Sequence, residues 1–174
     1  PMDYEPGLLE NGTQKTFRPI EGRVMSYGTR TNQLAMYVIY DSPIQFFSGN
    51  PSQGMQEPEF MTLLGSIPTV WDTTIVLKAA ISEYIVTARK KDGDWYVGAM
   101  TDSVSRQFSI PLNFLDAGNE YVATACEDGL NADRYAPDYR ITEKTVTAQD
   151  LLTFTMQPGG GYMVRLKTKT NRSQ

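Results

Sequence analysis

The sequence predicts a mainly β protein: an antiparallel β-sandwich preceded by one or two helices. Two observations carry this. From residue 69 onward, short runs rich in Val, Ile, Thr and aromatic residues are punctuated by turn residues roughly every eight to twelve positions, the rhythm of a sandwich. Before residue 68 the only sustained periodicity is helical. The 174 residues suffice for a core, and 40% hydrophobic with 21% charged residues is ordinary for a globular chain.

Residues 1–28 are rich in Gly, Pro, Asn and Thr and read as an extended, irregular segment. That is long for a loop within a compact domain, so it is expected to lie on something else. Thr29 or Thr31 caps the helix that follows, a hydroxyl taking up a free backbone N–H. Leu34, Tyr37 and Val38 keep the 3.6-residue spacing, with Ala35 and Ile39 widening the stripe. Pro43 breaks or restarts this helix, and Ile44, Phe46 and Phe47 continue the apolar surface beyond it. A second short helix starts near Pro58, carries Phe60, Met61, Leu63 and Leu64, and ends at Gly65 and Pro68. The helix face of Leu34, Val38 and Phe46 needs a cover, which predicts docking on the sandwich or dimerisation.

Strands are predicted over 70–81, 84–89, 95–101, 106–110, 120–127, 140–147, 151–157 and 162–167. Asp92-Gly93 is a hairpin turn signal. A single helical turn is placed over 111–115. The Pro158-Gly-Gly-Gly161 run reads as a tight turn; no Lys-Ser/Thr or helix follows it, so it is not a phosphate loop.

Composition excludes several functions. The net charge is −4 and the pI about 4.9. The one basic cluster, 165–172, reads as a solvated tail, so a nucleic-acid partner is disfavoured. No apolar run approaches the ~20 residues that span a bilayer, and residues 1–12 carry no secretory signal. The chain has no histidine, which removes Ser-His-Asp and Cys-His chemistry and histidine-bound metal sites from these residues. Cys126 is the single cysteine; it has no disulfide partner within the chain and reads as a half-buried strand thiol.

Among candidate sites, the loop Asp128-Gly-Leu-Asn131-Ala-Asp133-Arg134 with Asp138 is the most suggestive. Asp128, Asn131 and Asp133 are candidate oxygen ligands for calcium, although the loop lacks a calcium-loop rhythm, and Asp and Asn also suit turns locally. The carboxylate pairs Asp3/Glu5, Asp92/Asp94 and Glu57/Glu59 have no spacing specific to glycosidase acid–base work, and the last two, on a hairpin tip and a helix start, read as solvated charges. Trp71, Trp95 and the tyrosines could stack on sugars. Core packing for Trp95 and junction packing for Trp71 are the competing readings.

Taken in order, several stretches resemble glycoside hydrolase family 97, the bacterial α-glucosidases and α-galactosidases. The opening Pro1-Met-Asp-Tyr-Glu-Pro-Gly7 is similar to the Gly-Pro-Met-Asp-Tyr-Thr-Pro-Gly segment that ends the family's catalytic barrel. Asn32-Gln-Leu-Ala-Met-Tyr-Val-Ile39 resembles the following helix, and Pro68-Thr-Val-Trp-Asp-Thr-Thr74 the junction after it. The strand 95–101, the loop 128–134 and the Pro-Gly-Gly-Gly turn match the C-terminal domain. Glu5, Asn32, Val70 and Thr73 depart from the family pattern, and none falls on a residue that carries the family's chemistry.

The resemblance implies that residues 1–67 are the C-terminal remnant of a (β/α)8 barrel and residues 68–174 the C-terminal β-sandwich domain. It implies a parent enzyme that hydrolyses α-glycosidic bonds of an oligosaccharide with calcium, periplasmic or secreted, whose catalytic and calcium-binding residues lie upstream. This chain is then a structural C-terminal fragment, inactive alone and without a cofactor of its own, and its partner is the missing barrel. Asp3 and Tyr4 would lie near the barrel mouth, close to substrate. The competing reading is a non-catalytic carbohydrate-binding or interaction sandwich, which exposed coplanar aromatics would favour. Buried Trp71 and Trp95 would favour the first.

Overall fold

The computed structural model describes residues 5–22 and 24–169. The first segment is irregular apart from a parallel contact between β1 (Asn11–Gly12) and β2 (Ser26–Tyr27). Helix α1 runs Arg30–Ile39 and is capped by Thr29, whose hydroxyl accepts the Asn32 N–H at 3.1 Å. A one-turn helix, α2 (Pro51–Gly54), was not predicted; Asn50 caps it and Pro51 supplies its first turn. Helix α3 is Pro58–Gly65.

Eight strands follow: β3 (Thr73–Ala80), β4 (Tyr84–Lys91), β5 (Asp94–Thr101), β6 (Arg106–Pro111), β7 (Tyr121–Asp128), β8 (Tyr139–Val146), β9 (Leu151–Met156) and β10 (Gly161–Thr168). Six form one antiparallel sheet in the order β3-β4-β5-β10-β7-β8, and β6 pairs with β9 in a second, two-stranded sheet. The β3–β4–β5 meander is thus joined to the β7–β8 hairpin by the last strand of the chain. Asp92 and Gly93 both have positive φ, 49° and 90°, which lets a two-residue loop follow the strand twist.

Two predicted elements shorten. The strand expected over 70–81 starts at Thr73, because the Asp72 carboxylate turns to accept the Asp92 N–H at 2.9 Å and the Lys91 ammonium at 3.1 Å. It ends before Ile81, where Ser82 takes a left-handed φ of 65°. The helical turn expected over 111–115 is one hydrogen-bonded turn, Leu115 N–H to the Leu112 carbonyl at 3.0 Å.

The strand alternation feeds two cores. Val97, Val164 and Ala125 point one way, with Trp95 and Leu166, to meet Phe108, Ile110, Leu152 and Phe154 of the β6–β9 layer. Tyr96, Met163 and Cys126 point the other way, to meet Leu34, Val38, Phe60 and Leu63 of the helices. The central strands are therefore covered on both faces, which explains their nearly continuous apolar sequences. Helix α1 docks across the register row Thr87–Gly98–Met163–Cys126. A Cβ on Gly98 would stand 2.9 Å from Val38 Cβ, so the glycine lets the helix approach.

The expected need for a cover is thus met by docking on the chain's own sheet: Leu34 and Val38 are fully buried. That face is closed to a second copy. Phe46 departs from the expectation; it lies beyond the helix end and is half exposed.

Candidate functional site at the helix–sandwich junction

Both ends of α1 are fastened to the sandwich. At the C-terminal end the buried Arg89 of β4 donates to the Ile39 carbonyl at 3.0 Å and to Asp41 at 3.2 Å, placing a cation where the helix leaves carbonyls unpaired. At the N-terminal end the Thr29 N–H donates to the Gly159 carbonyl at 3.0 Å, and the Asn32 amide donates to the Gly160 carbonyl at 3.0 Å. The Pro158-Gly-Gly-Gly161 turn is therefore a clasp on the helix start. A Cβ on Gly161 would stand 2.5 Å from the Asn32 Cα, and one on Gly160 would collide with the Asp128 carboxylate.

Asp128 lies beneath this clasp. Its Oδ2 accepts the Gln157 N–H at 2.9 Å. Burial raises its pKa to about 6, partly offset by the Thr29 and Thr31 hydroxyls and the Gln157 and Gly161 N–H groups.

A second network joins α1, α3 and β8. The buried Arg30 guanidinium donates to Asn11 at 3.1 Å, to the Leu9 carbonyl at 2.7 Å and to Glu57 at 2.5 Å. The Tyr139 hydroxyl donates to the other Glu57 oxygen at 2.7 Å, and Arg30 lies over the Tyr139 ring at 5.6 Å. Burial, then the Glu57 carboxylate, raises the Tyr139 pKa. The result is a satisfied ion pair, with no acid or base left to serve a substrate.

Next to it lies a cleft of about 390 Å³ between the first segment and the 129–138 loop, lined by Glu10, Asn11, Thr16, Arg134 and Tyr135 among others. The loop is held by its own bonds: Asn131 N–H to Asp138 Oδ2 at 2.8 Å, Tyr135 N–H to the Asn131 carbonyl at 2.7 Å, and Arg30 N–H to the Ala136 carbonyl at 2.9 Å.

The predicted site residues are scattered. Asp3 and Tyr4 lie outside the described residues. Asp128, Asn131 and Asp133 do not converge: Asp128 is under the clasp, Asn131 gives its N–H to Asp138, and Asp133 pairs with Arg134 at 3.7 Å. Among the described residues, no three His, Cys, Asp or Glu side chains are placed to share a metal ion. Asp94 pairs with Arg165 at 3.0 Å, and Glu57 is taken by Arg30 and Tyr139. Trp95 is core, edge-on to Phe114 at 4.9 Å. Trp71 packs at the junction against Tyr96 at 5.3 Å, with the Arg89 guanidinium over its ring. Cys126 is fully buried, more deeply than the half-buried thiol expected, because α1 covers its strand face.

Sequence reasoning missed Arg30, Tyr139 and Tyr135. No local signal marks the first two, since their partner Glu57 is 27 and 82 residues away. Tyr135 had a signal: an aromatic residue inside the polar loop already singled out.

A family model described as "Glycosyl-hydrolase 97 C-terminal, oligomerisation" matches residues 70–167. A retaining α-galactosidase of Bacteroides thetaiotaomicron is 40% identical over 167 residues, covering 96% of this chain and 25% of that protein. A probable retaining α-galactosidase of Streptomyces bingchenggensis is 26% identical over 162 residues, covering 92% and 22%. The structure of a glycoside hydrolase family 97 enzyme in complex with acarbose, from Pseudoalteromonas sp. strain K8, superposes with a TM-score of 0.86. It is 35% identical and covers 98% of this chain and 27% of that one. The chain thus spans about a quarter of the length of the relatives it matches.

Proposed function

Since this chain belongs to the glycosyl-hydrolase 97 C-terminal family, we propose that it is the C-terminal part of an enzyme that hydrolyses α-glycosidic bonds, with a supporting role and no turnover alone. The observation that carries this is the 40% identity to a retaining α-galactosidase along 96% of the chain. Galactoside cleavage with retention is accordingly the first reading. The acarbose-bound relative favours an α-glucoside as the second.

In this reading residues 1–67 close a (β/α)8 barrel as its last strand exit and last helix, and residues 68–174 are the C-terminal domain. Asp3 and Tyr4 then lie at the barrel mouth near the sugar. The fastening of α1 at both ends gives the sandwich a mechanical part: it holds the last barrel helix in place. Calcium is assigned to residues upstream, since the described carboxylates do not converge on one point. Self-association, in line with the word oligomerisation in the family description, and a periplasmic or secreted location complete the proposal.

The test is hydrolysis of p-nitrophenyl α-galactoside and α-glucoside, with calcium, by this chain and by the chain extended upstream. Turnover only with the extension supports the reading. Turnover by the 174 residues alone, or by neither protein, overturns it.

A further inference from the structure

The β3–β4 hairpin tip holds an apolar side chain out of the protein. Ile81 is 97% exposed, and the next residue, Ser82, takes a left-handed φ of 65°. The tip is braced. The Glu83 N–H donates to the Ala80 carbonyl at 3.0 Å, and the Asp102 N–H donates to the Glu83 carbonyl at 2.8 Å. Arg106 donates to Glu83 Oε2 at 3.0 Å and to the Asp102 carboxylate, and its guanidinium lies 5.3 Å from the Tyr84 ring centre. An apolar group on a fixed tip meets a partner without the ordering cost of a flexible loop.

Beside the tip is an open recess of about 880 Å³, lined by the register row Ala79–Ile85–Met100 and by Ile39 and Tyr40 where α1 ends. It lies on the sheet face that carries α1. The helix rests chiefly on β5 and β10, which leaves this end of β3 and β4 uncovered. Val76, more than half exposed, extends the apolar surface along β3 on the same face.

Charge and shape select the occupant. The three carboxylates that line the recess are each paired, Asp41 with Arg89 and both Glu83 and Asp102 with Arg106. No unmatched charge is left to attract a polyanion or a basic peptide. A projecting Ile81 and an apolar recess on one surface are self-complementary, as an isologous two-fold contact requires. The sheet edges agree. β8 carries Arg140, Glu143 and Lys144, charges that keep an edge from pairing, whereas β3 carries only Lys78, whose Nζ lies over the Phe108 ring at 5.6 Å.

We propose that the β3–β4 tip and its recess form a two-fold interface with a second copy of this protein, Ile81 of each copy seated in the recess of the other. This rests on the self-association put forward above and supplies its surface. If α1 is the last barrel helix, it ends on the face opposite the mouth, so association there leaves the mouth open.

The experiment is sedimentation velocity of this chain and of the chain extended upstream, over a micromolar concentration series. Both are expected to dimerise. Ile81→Asp raises the dimer dissociation constant by about thirtyfold or more, and Ala79→Arg, which fills the recess, does the same. Leu130→Asp, at a 91% exposed position on the β7–β8 loop, leaves it unchanged. All three positions are exposed, so the variants fold, and hydrolysis of p-nitrophenyl glycosides by the extended protein is unaltered. A monomer throughout the series overturns the interface together with self-association. A dimer indifferent to Ile81→Asp or to Ala79→Arg overturns this interface and leaves self-association to another surface. Dimerisation of this chain that vanishes in the extended protein assigns the recess to the upstream part, and overturns the interface. An extended protein that dimerises through Ile81 but cleaves neither glycoside upholds the interface and rejects the glycosidase reading.

Discussion

Gly161 at the start of β10 lies against Asn32 in the first turn of α1 so closely that a Cβ would meet the Asn32 Cα at 2.5 Å and its nitrogen at 2.7 Å. The obstacle is backbone on both sides, so a methyl group cannot be absorbed by a rotamer change. Gly161→Ala is expected to cost about 1–3 kcal/mol, as overpacking does. Gly65, which ends α3 with open space around its missing Cβ, is the control. Gly65→Ala should stabilise by about 0.4–1 kcal/mol by restricting the unfolded chain. Urea unfolding of both variants measures this; equal effects would refute the clasp.

Asp128 makes stability depend on pH in a defined direction. Its folded pKa, about 6, is above the ordinary 3.8, so the folded state favours the protonated acid. That contribution is fully present below about pH 4 and is lost as pH rises through about 6. The span corresponds to about 3 kcal/mol. Asp128→Asn keeps a neutral side chain throughout. The stability difference between variant and parent, followed by urea unfolding from pH 4 to 7, should move in the variant's favour as pH rises. A difference independent of pH would reject the buried acid.

Glu57 and Tyr139 should be energetically coupled. Tyr139→Phe removes a hydrogen bond to a charged acceptor and is expected to cost about 1.5–3 kcal/mol. In a Glu57→Gln background the same change should cost less, and a double-mutant cycle should return a coupling of about 1 kcal/mol. Additive losses would mean that the hydroxyl serves packing alone.

Cys126 should be inert in the folded protein. Burial pushes its thiol up to about 12, and α1 covers it, with the Thr31 hydroxyl at 3.9 Å. A disulfide-exchange reagent at pH 8 should label it only at the rate of unfolding, and fully in denaturant. Rapid labelling of the native chain would contradict the docked helix.

Much of this was legible in the residues themselves. The alternation of Trp95, Val97 and Ala99 against Tyr96, and the 3.6-residue spacing of Leu34, Tyr37 and Val38, are local patterns, and each encodes which face of its own element is apolar. Thr29 as a cap and Asp92-Gly93 as a turn are also local, because each acts on a backbone within three residues. Even the need of α1 for a cover followed from its stripe.

What covers the stripe was decided only in three dimensions. Nothing near Gly98 or Gly161 in the chain announces that a helix 60 to 130 residues earlier will rest on them; the missing Cβ has meaning only once the strands are in register. The same holds for Asp128, which in sequence reads as a candidate calcium ligand or a turn residue. It becomes a buried acid because the clasp closes over it. Periodicity is a property of one segment and survives in the sequence. Desolvation and pairing are properties of two segments brought together, and the tertiary fold alone brings them.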